Sequence, residues 1–206
     1  MGVSKQQAIE NRRAIVTAAE ALFRERGVDA VGLAELTKAA GFTQGGFYNH
    51  FKSKADLVAA VIEQATERGC AALGAAIENS KARAADPMER QVDWYLSTGH
   101  RADIASGCPL AVFAGDVRRL DADAQKAYAK GLENNFEQLA RILAGSNARA
   151  KRKKALALFS QMVGAIVLSR AVLDVDPTLA DEILKDGRDA LRQSIDGRRG
   201  RVHHEA

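Results

Sequence analysis

The residues best suited to chemistry on a polyanion stand together in one short stretch, "GFTQGGFYNHFKSKADL", residues 41–57. The amide of Gln44 can pair bidentately with the major-groove edge of adenine, and Thr43 and Asn49 are the next candidates for a base edge. Tyr48 and His50 present a hydroxyl and an imidazole, and Lys52 and Lys54 add cations just beyond them. Such groups grip phosphates and set register without themselves reading sequence. Gly45 and Gly46 sit in the middle of the group, where each costs a helix about 1 kcal/mol relative to alanine. A cost of that size asks for a compensating gain, and clearance against the sugar-phosphate walls of a groove is one that glycine supplies. The candidate nucleic-acid contacts are therefore Thr43, Gln44, Gly45, Gly46, Tyr48, Asn49, His50, Lys52 and Lys54.

Groups that read a groove need rigid elements behind them. Ile15, Val16, Ala19, Leu22 and Phe23 recur at three- and four-residue steps and predict a first helix over 5–26, stopped by Gly27. A short second helix reads from 33 to 40, burying Leu33 and Leu36 and ending at Gly41. Thr43 can cap a third over 44–51, and Ser53 a long fourth over 54–79 whose stripe includes Leu57, Val58, Val61, Ile62 and Ala65. Two short helices joined by the turn "GFT" form a helix-turn-helix pattern, with Phe42, Phe47 and Phe51 assigned to its core. The amino end of the fourth helix offers N–H groups to a phosphate.

Beyond Pro87 the pattern predicts a helix through Trp94 to about His100, a break at "ASGCPL", and a short apolar helix over 110–117. An amphipathic helix ending at Gly145 follows. Residues 155–173 are almost all apolar and long enough to raise a membrane span, but Ser160, Gln161, Ser169 and Arg170 favour a helix buried by protein. "DVDP" breaks the chain before a last helix over 178–195, and the tail "DGRRGRVHHEA" reads as disordered. With no strand signal and no repeat, the expected fold is all-α with about nine helices. Its expected organisation is a helix-turn-helix domain over 1–52, a larger helical bundle over 53–196 and a tail over 197–206.

Composition narrows the classes. A chain of 206 residues with 47% hydrophobic and 27% charged side chains is globular in type, and its three prolines suit long helices. A net charge of +4 and a pI near 9.2 are compatible with nucleic acid without demanding it. Two distant cysteines, Cys70 and Cys108, fit a reducing cytoplasm and neither a disulfide framework nor a metal site, and no cofactor motif is present. The start of the chain has no apolar signal core. A thiol enzyme built on Cys108 and His100 lacks an acidic partner, a glycine-rich loop or a metal set. Cys108 before Pro109 could instead sense oxidants or electrophiles, or simply pack. The basic run "RAKRKK", 149–154, reads as a solvated helix entrance rather than a second nucleic-acid site. Trp94, Tyr95, Phe113, Tyr128, Phe136 and Met162 are candidate walls of a cavity between helices, with His100 and Cys108 as polar additions.

The run "RRAIVTAAEALFRERGVDAVGLAELTKAAGFTQGGFYNHFKSKADL" resembles the N-terminal DNA-binding domain of the TetR family of bacterial transcriptional regulators. The pattern is Leu-Phe before a glycine, Ala-Ala-Gly before the turn, then Phe-Tyr-x-His-Phe, Lys and Leu. The resemblance covers about a quarter of the chain. It implies an all-helical homodimer that binds palindromic operator DNA and is released by a small-molecule effector held in the larger C-terminal part. It carries DNA contact onto Thr43, Gln44, Tyr48, His50 and Lys54. It also implies a dimer interface on the last two helices, here Leu158, Met162, Ala165, Ile166, Ser169, Ile183 and Leu191. One departure is Gly32, which stands where the family usually has a threonine that caps the second helix and touches phosphate.

Overall fold

The computed structural model describes residues 4–196, and these are helical without a strand. The helices are α1 (Lys5–Arg26), α2 (Leu33–Ala39), α3 (Gln44–Tyr48), α4 (Lys54–Ala82), α5 (Pro87–Tyr95), α6 (Thr98–Ala102), α7 (Pro109–Val112), α8 (Ala122–Ile142), α9 (Ala148–Val172) and α10 (Pro177–Asp196), with a 3-10 turn at Val117–Arg119. The ten α-helices exceed the expected nine because the helix expected through Trp94 to His100 is two. Leu96 leaves helical geometry, and the Ser97 hydroxyl accepts from the His100 N–H to start α6. The tail over 197–206 lies outside the described residues.

Two compact units form. The first comprises the chain up to Gly69 together with Ile104–Leu132, the second Cys70–Asp103 together with the chain from Glu133 on. The first unit runs past residue 52, where the sequence suggests a domain boundary. The stripe Leu57, Val58, Val61, Ile62 and Ala65 of α4, with Phe113 and Ala124, joins the same apolar cluster as Ile15, Phe23, Leu36, Phe47 and Phe51. Helices as short as α2 and α3 cannot bury enough apolar area by themselves, and burial at about 25 cal/mol per Å² is what holds them.

Polar ties reinforce the first unit. Arg24 and Glu20 are both buried and bonded at 2.7 Å, Arg68 also meets Glu20, and Arg24 Nη1 donates to the carbonyls of Ile104 and Gly107, each at 3.1 Å. Asp116 accepts from the Val28 N–H at 3.3 Å, and Arg119 pairs with Asp29 at 3.0 Å. Residues 104–119 thus grip both α1 and the α1–α2 turn. In the second unit α9 and α10 lie along each other, with Gly187 close against Ala165 and Leu96. Buried Ser169 donates to the Ala180 carbonyl at 2.8 Å and accepts from Arg101 at 3.2 Å, while Arg101 pairs with Asp181 at 2.8 Å. α9 has the length and apolarity of a membrane span, yet Leu158, Phe159, Met162, Ile166 and Ser169 on it are buried within this unit.

Candidate nucleic-acid interface

The turn between α2 and α3 follows from local chemistry. Gly41 adopts φ +75°, a left-handed geometry that closes α2. The Phe42 N–H donates to the Thr37 carbonyl at 2.8 Å and the Gly41 N–H to the Lys38 carbonyl at 3.1 Å, the paired bonds of a Schellman ending. Thr43, in extended geometry, then accepts from the Gly46 N–H at 3.1 Å and starts α3. α3 is shorter than the expected 44–51: the Asn49 and His50 N–H groups turn back three residues, to Gly46 and Phe47, and tighten the chain after Tyr48. Phe47 and Phe51 are buried and stacked at 5.6 Å, which anchors this short helix from below.

The outward face of α3 carries Gln44, Gly45, Tyr48 and Asn49, all exposed, with Tyr48 at 57%. The two glycines separate in role. A Cβ on Gly45 would meet nothing within 4 Å, so no packing in the chain requires its absence. A Cβ on Gly46 would lie at ordinary contact distance, 3.4 Å from the Thr43 hydroxyl and 3.6 Å from the Phe42 ring, so this glycine faces the cap and Gly45 faces open space. Thr43 and Lys52 are exposed, while His50 is half-buried with its ring edge-on to Phe42.

Lys54 has partners within the chain. Its ammonium donates to the Val28 carbonyl at 2.8 Å and lies over the Phe23 ring, so it braces α4 against the turn after α1. The start of α4 is likewise partly occupied: Ser53 accepts from the Asp56 N–H at 3.1 Å, and the Asp56 carboxylate accepts from the Lys52 N–H at 3.0 Å. Gly32 starts α2 with no side-chain cap, as the departure from the family pattern implied.

Sequence reasoning missed Arg12. It donates to the His50 carbonyl at 2.9 Å, and its guanidinium carbon sits 4.0 Å from the centre of the Phe51 ring. No periodic signal marks a contact across 38 positions; only the cation within the first helix hints at it.

The eight candidate effector residues divide between the units. Cys108, Phe113 and Tyr128 belong to the first, where Phe113 is fully buried in the core and Cys108 is half-buried at the head of α7. The Tyr128 hydroxyl donates to the Leu110 carbonyl; burial raises its pKa, with the neighbouring Cys108 adding to the effect. Trp94, Tyr95, His100, Phe136 and Met162 belong to the second. There Trp94 stacks on His100 at 4.4 Å, and Tyr95 meets His100 at 4.6 Å and Phe159 at 5.8 Å. Phe136 meets Phe159 at 5.8 Å, and Met162 is buried. His100 Nδ1 faces the Tyr95 carbonyl at 2.7 Å; a carbonyl only accepts, so this nitrogen carries the proton. Burial lowers the His100 pKa, the Tyr95 carbonyl opposes this, and Arg170 reinforces it.

Of the candidate dimer residues, Leu158, Met162, Ile166, Ser169 and Leu191 are buried inside the second unit, and Ala165 and Ile183 are half-buried. The five buried side chains have no surface to offer a second copy, whereas Ala165 and Ile183 keep part of theirs. The apolar side chains that do face outward on α9 and its continuation are Val167, Leu168, Val175 and Leu179.

Two short helices joined by a tight turn, the second capped and seated on an aromatic base, are the helix-turn-helix arrangement of nucleic-acid-binding proteins. A family profile, bacterial regulatory proteins of the tetR family, matches residues 15–61. Residues 15–61 are thus similar to the N-terminal domain of that family, over less than a quarter of the chain. It is 45% identical over 60 residues to the HTH-type transcriptional regulator AcrR of Shigella flexneri, an alignment covering 29% of this chain and 28% of that protein. It is 44% identical over 62 residues to the HTH-type transcriptional repressor BepR of Brucella suis, covering 30% of each. The matched segment thus spans less than a third of these curated relatives. Among solved structures, the reduced form of NemR from E. coli superimposes with a TM-score of 0.73 at 20% identity, over 89% of this chain and 96% of that one. A TetR transcriptional regulator from Legionella pneumophila gives 0.71 at 24% identity, over 95% and 100%. At these identities the likeness speaks for the fold.

Proposed function

We propose that this protein is a ligand-responsive transcriptional repressor that binds a palindromic operator as a homodimer in the cytoplasm and leaves it when a small molecule binds. The observation that carries the reading is the outward face of α3. Gln44 and Asn49 are exposed there for base edges, Tyr48 for phosphate, and Gly45 is bare although nothing in the chain needs the space. The name of BepR as a repressor, a relative over the same domain, supports the sign of regulation. In the simplest dimer the two copies of α3 would stand about 34–36 Å apart, one turn of DNA.

An effector acts only by differential affinity for two arrangements, typically with about 1–3 kcal/mol of coupling. The grip of residues 104–119 on α1 through Arg24, Asp116 and Arg119 supports that segment as the conduit, since its movement would drag α1 and the α1–α2 turn. Within the second unit the ring cluster of Trp94, Tyr95, His100, Phe136 and Phe159 supports an apolar, ring-bearing effector. The reading assigns no catalytic step.

Gly45→Leu tests it. Leucine removes glycine's helix penalty of about 1 kcal/mol and meets no atom of the chain within 4 Å of its Cβ. The variant is expected to melt at or above the wild-type temperature while losing gel-shift binding to DNA flanking the protein's own gene. Normal DNA binding by a folded Gly45→Leu protein would remove the clearance argument.

A further inference from the structure

We infer that Arg12, on α1 and outside the helix-turn-helix pair, is a second phosphate clamp that also holds the end of the reading helix. The inference rests on the DNA-binding reading of α3 and adds a residue from another element to it.

Arginine carries five N–H donors in a planar fork and stays charged. One of the five is used here, by the His50 carbonyl at 2.9 Å, just past the end of α3. The guanidinium lies 4.0 Å from the centre of the Phe51 ring, a residue itself buried in the aromatic base of α3. These two contacts fix the fork, so little side-chain entropy remains to be lost when a third group binds.

Among the described residues no carboxylate cancels the charge of Arg12. Four other arginines of the first unit are met by carboxylates, Arg24 and Arg68 by Glu20, Arg26 by Glu35, Arg119 by Asp29 and Asp116; Arg13 and Arg118 have no ion pair among the described residues, but neither is held on an aromatic ring and a backbone carbonyl as Arg12 is. No ion pair among the described residues uses Arg12, although its side chain is exposed. An immobilised, uncompensated guanidinium beside the backbone of His50 suits a phosphate oxygen, whose charge and geometry match a fork. The same residue acts as a positioning group, because the carbonyl it holds belongs to the turn that closes α3.

The test titrates full-length wild type, Arg12→Gln and Arg12→Lys by fluorescence anisotropy across a salt series. The probes are DNA flanking the protein's own gene and a duplex of unrelated sequence. Arg12→Gln is expected to bind both probes roughly tenfold or more weakly, as loss of a charged hydrogen bond implies. Its salt slope is expected to fall by about 0.9, the signature of one lost phosphate contact. Arg12→Lys, which keeps the charge, is expected to recover the slope. Arg12→Met, which keeps packing on Phe51 without charge, should repeat the slope loss, and circular dichroism checks that each variant folds. If Arg12→Gln lowers the melting temperature or the affinity but leaves the slope at the wild-type value, Arg12 is a brace only and the inference is overturned. Wild-type affinity in Arg12→Gln overturns it as well. Failure of the wild type to bind either duplex overturns the DNA-binding reading itself, and this inference with it.

Discussion

At the scale of single residues, short-range chemistry was legible and long-range chemistry was not. Thr43 capping α3, Ser53 at the head of α4 and Phe47 in the core all follow from spacings of a few positions. Lys54 looked like a phosphate ligand because its neighbours do. Its partner within the chain, the Val28 carbonyl, takes one of its three donors, lies 26 positions away and leaves no mark in local pattern. The His100 ring is clasped by Trp94 and Tyr95, and its Nδ1–H donates to the carbonyl of Tyr95, the last residue of α5, so it caps the helix before it. Burial lowers its pKa, so near neutrality it is uncharged in the folded chain. An unfolded histidine takes up a proton as pH falls through about 6.5, and the folded one resists. Stability is therefore full above that value and is expected to fall as pH drops through it toward the lower folded pKa. Urea midpoints at pH 7.5 and 5.5 check this, and His100→Asn should flatten that part of the dependence. An unchanged dependence in the variant would mean that other groups carry it.

Among the elements, apolar periodicity found nearly every helix, with α1 recovered at both ends. Misses came where a cap hides in a plausible helical run, as Ser97 does between α5 and α6, or where charge masks a start. α9 begins at Ala148, capped by Asn147, and takes in the basic run that spacing left outside the apolar helix. Arg152 of that run is held by Glu133, in keeping with a structural rather than a nucleic-acid role. The apolar excess of α9 was visible in sequence, but which side faces inward was not, since nearly every position is apolar. Leu158, Met162 and Ile166 turn in, whereas Leu168 is 59% exposed and Val175 83%. Pairing between copies is thus expected to run through the outward stripe. Leu168→Glu should leave circular dichroism unchanged and convert dimers to monomers by light scattering. A dimer surviving that change would move the interface elsewhere; a charge at Ile166 would test folding rather than pairing, because that side chain is fully buried.

For the molecule as a whole, the all-α class and the helix-turn-helix could be read from the chain, but the extent of the DNA-binding unit could not. Residues 104–132 join it through Phe113 and Ala124 in the apolar cluster and through the Arg24 bonds, which span 80 and 83 positions and fall outside any local window of sequence. This enlarged unit gives the reading helix a base far larger than three short helices, which is what positioning in a groove requires. The central claim is that two copies of α3 read a palindrome, with Gln44 at a base edge. Its most direct measurement is binding of the full-length wild type and Gln44→Ala to a library of duplexes randomised from the DNA flanking the protein's own gene. The wild type is expected to select a two-fold symmetric site, and Gln44→Ala to relax preference at one pair of symmetry-related positions by about 1–3 kcal/mol. Equal affinity for all duplexes, or a Gln44→Ala profile that weakens uniformly with preference unchanged, would contradict it.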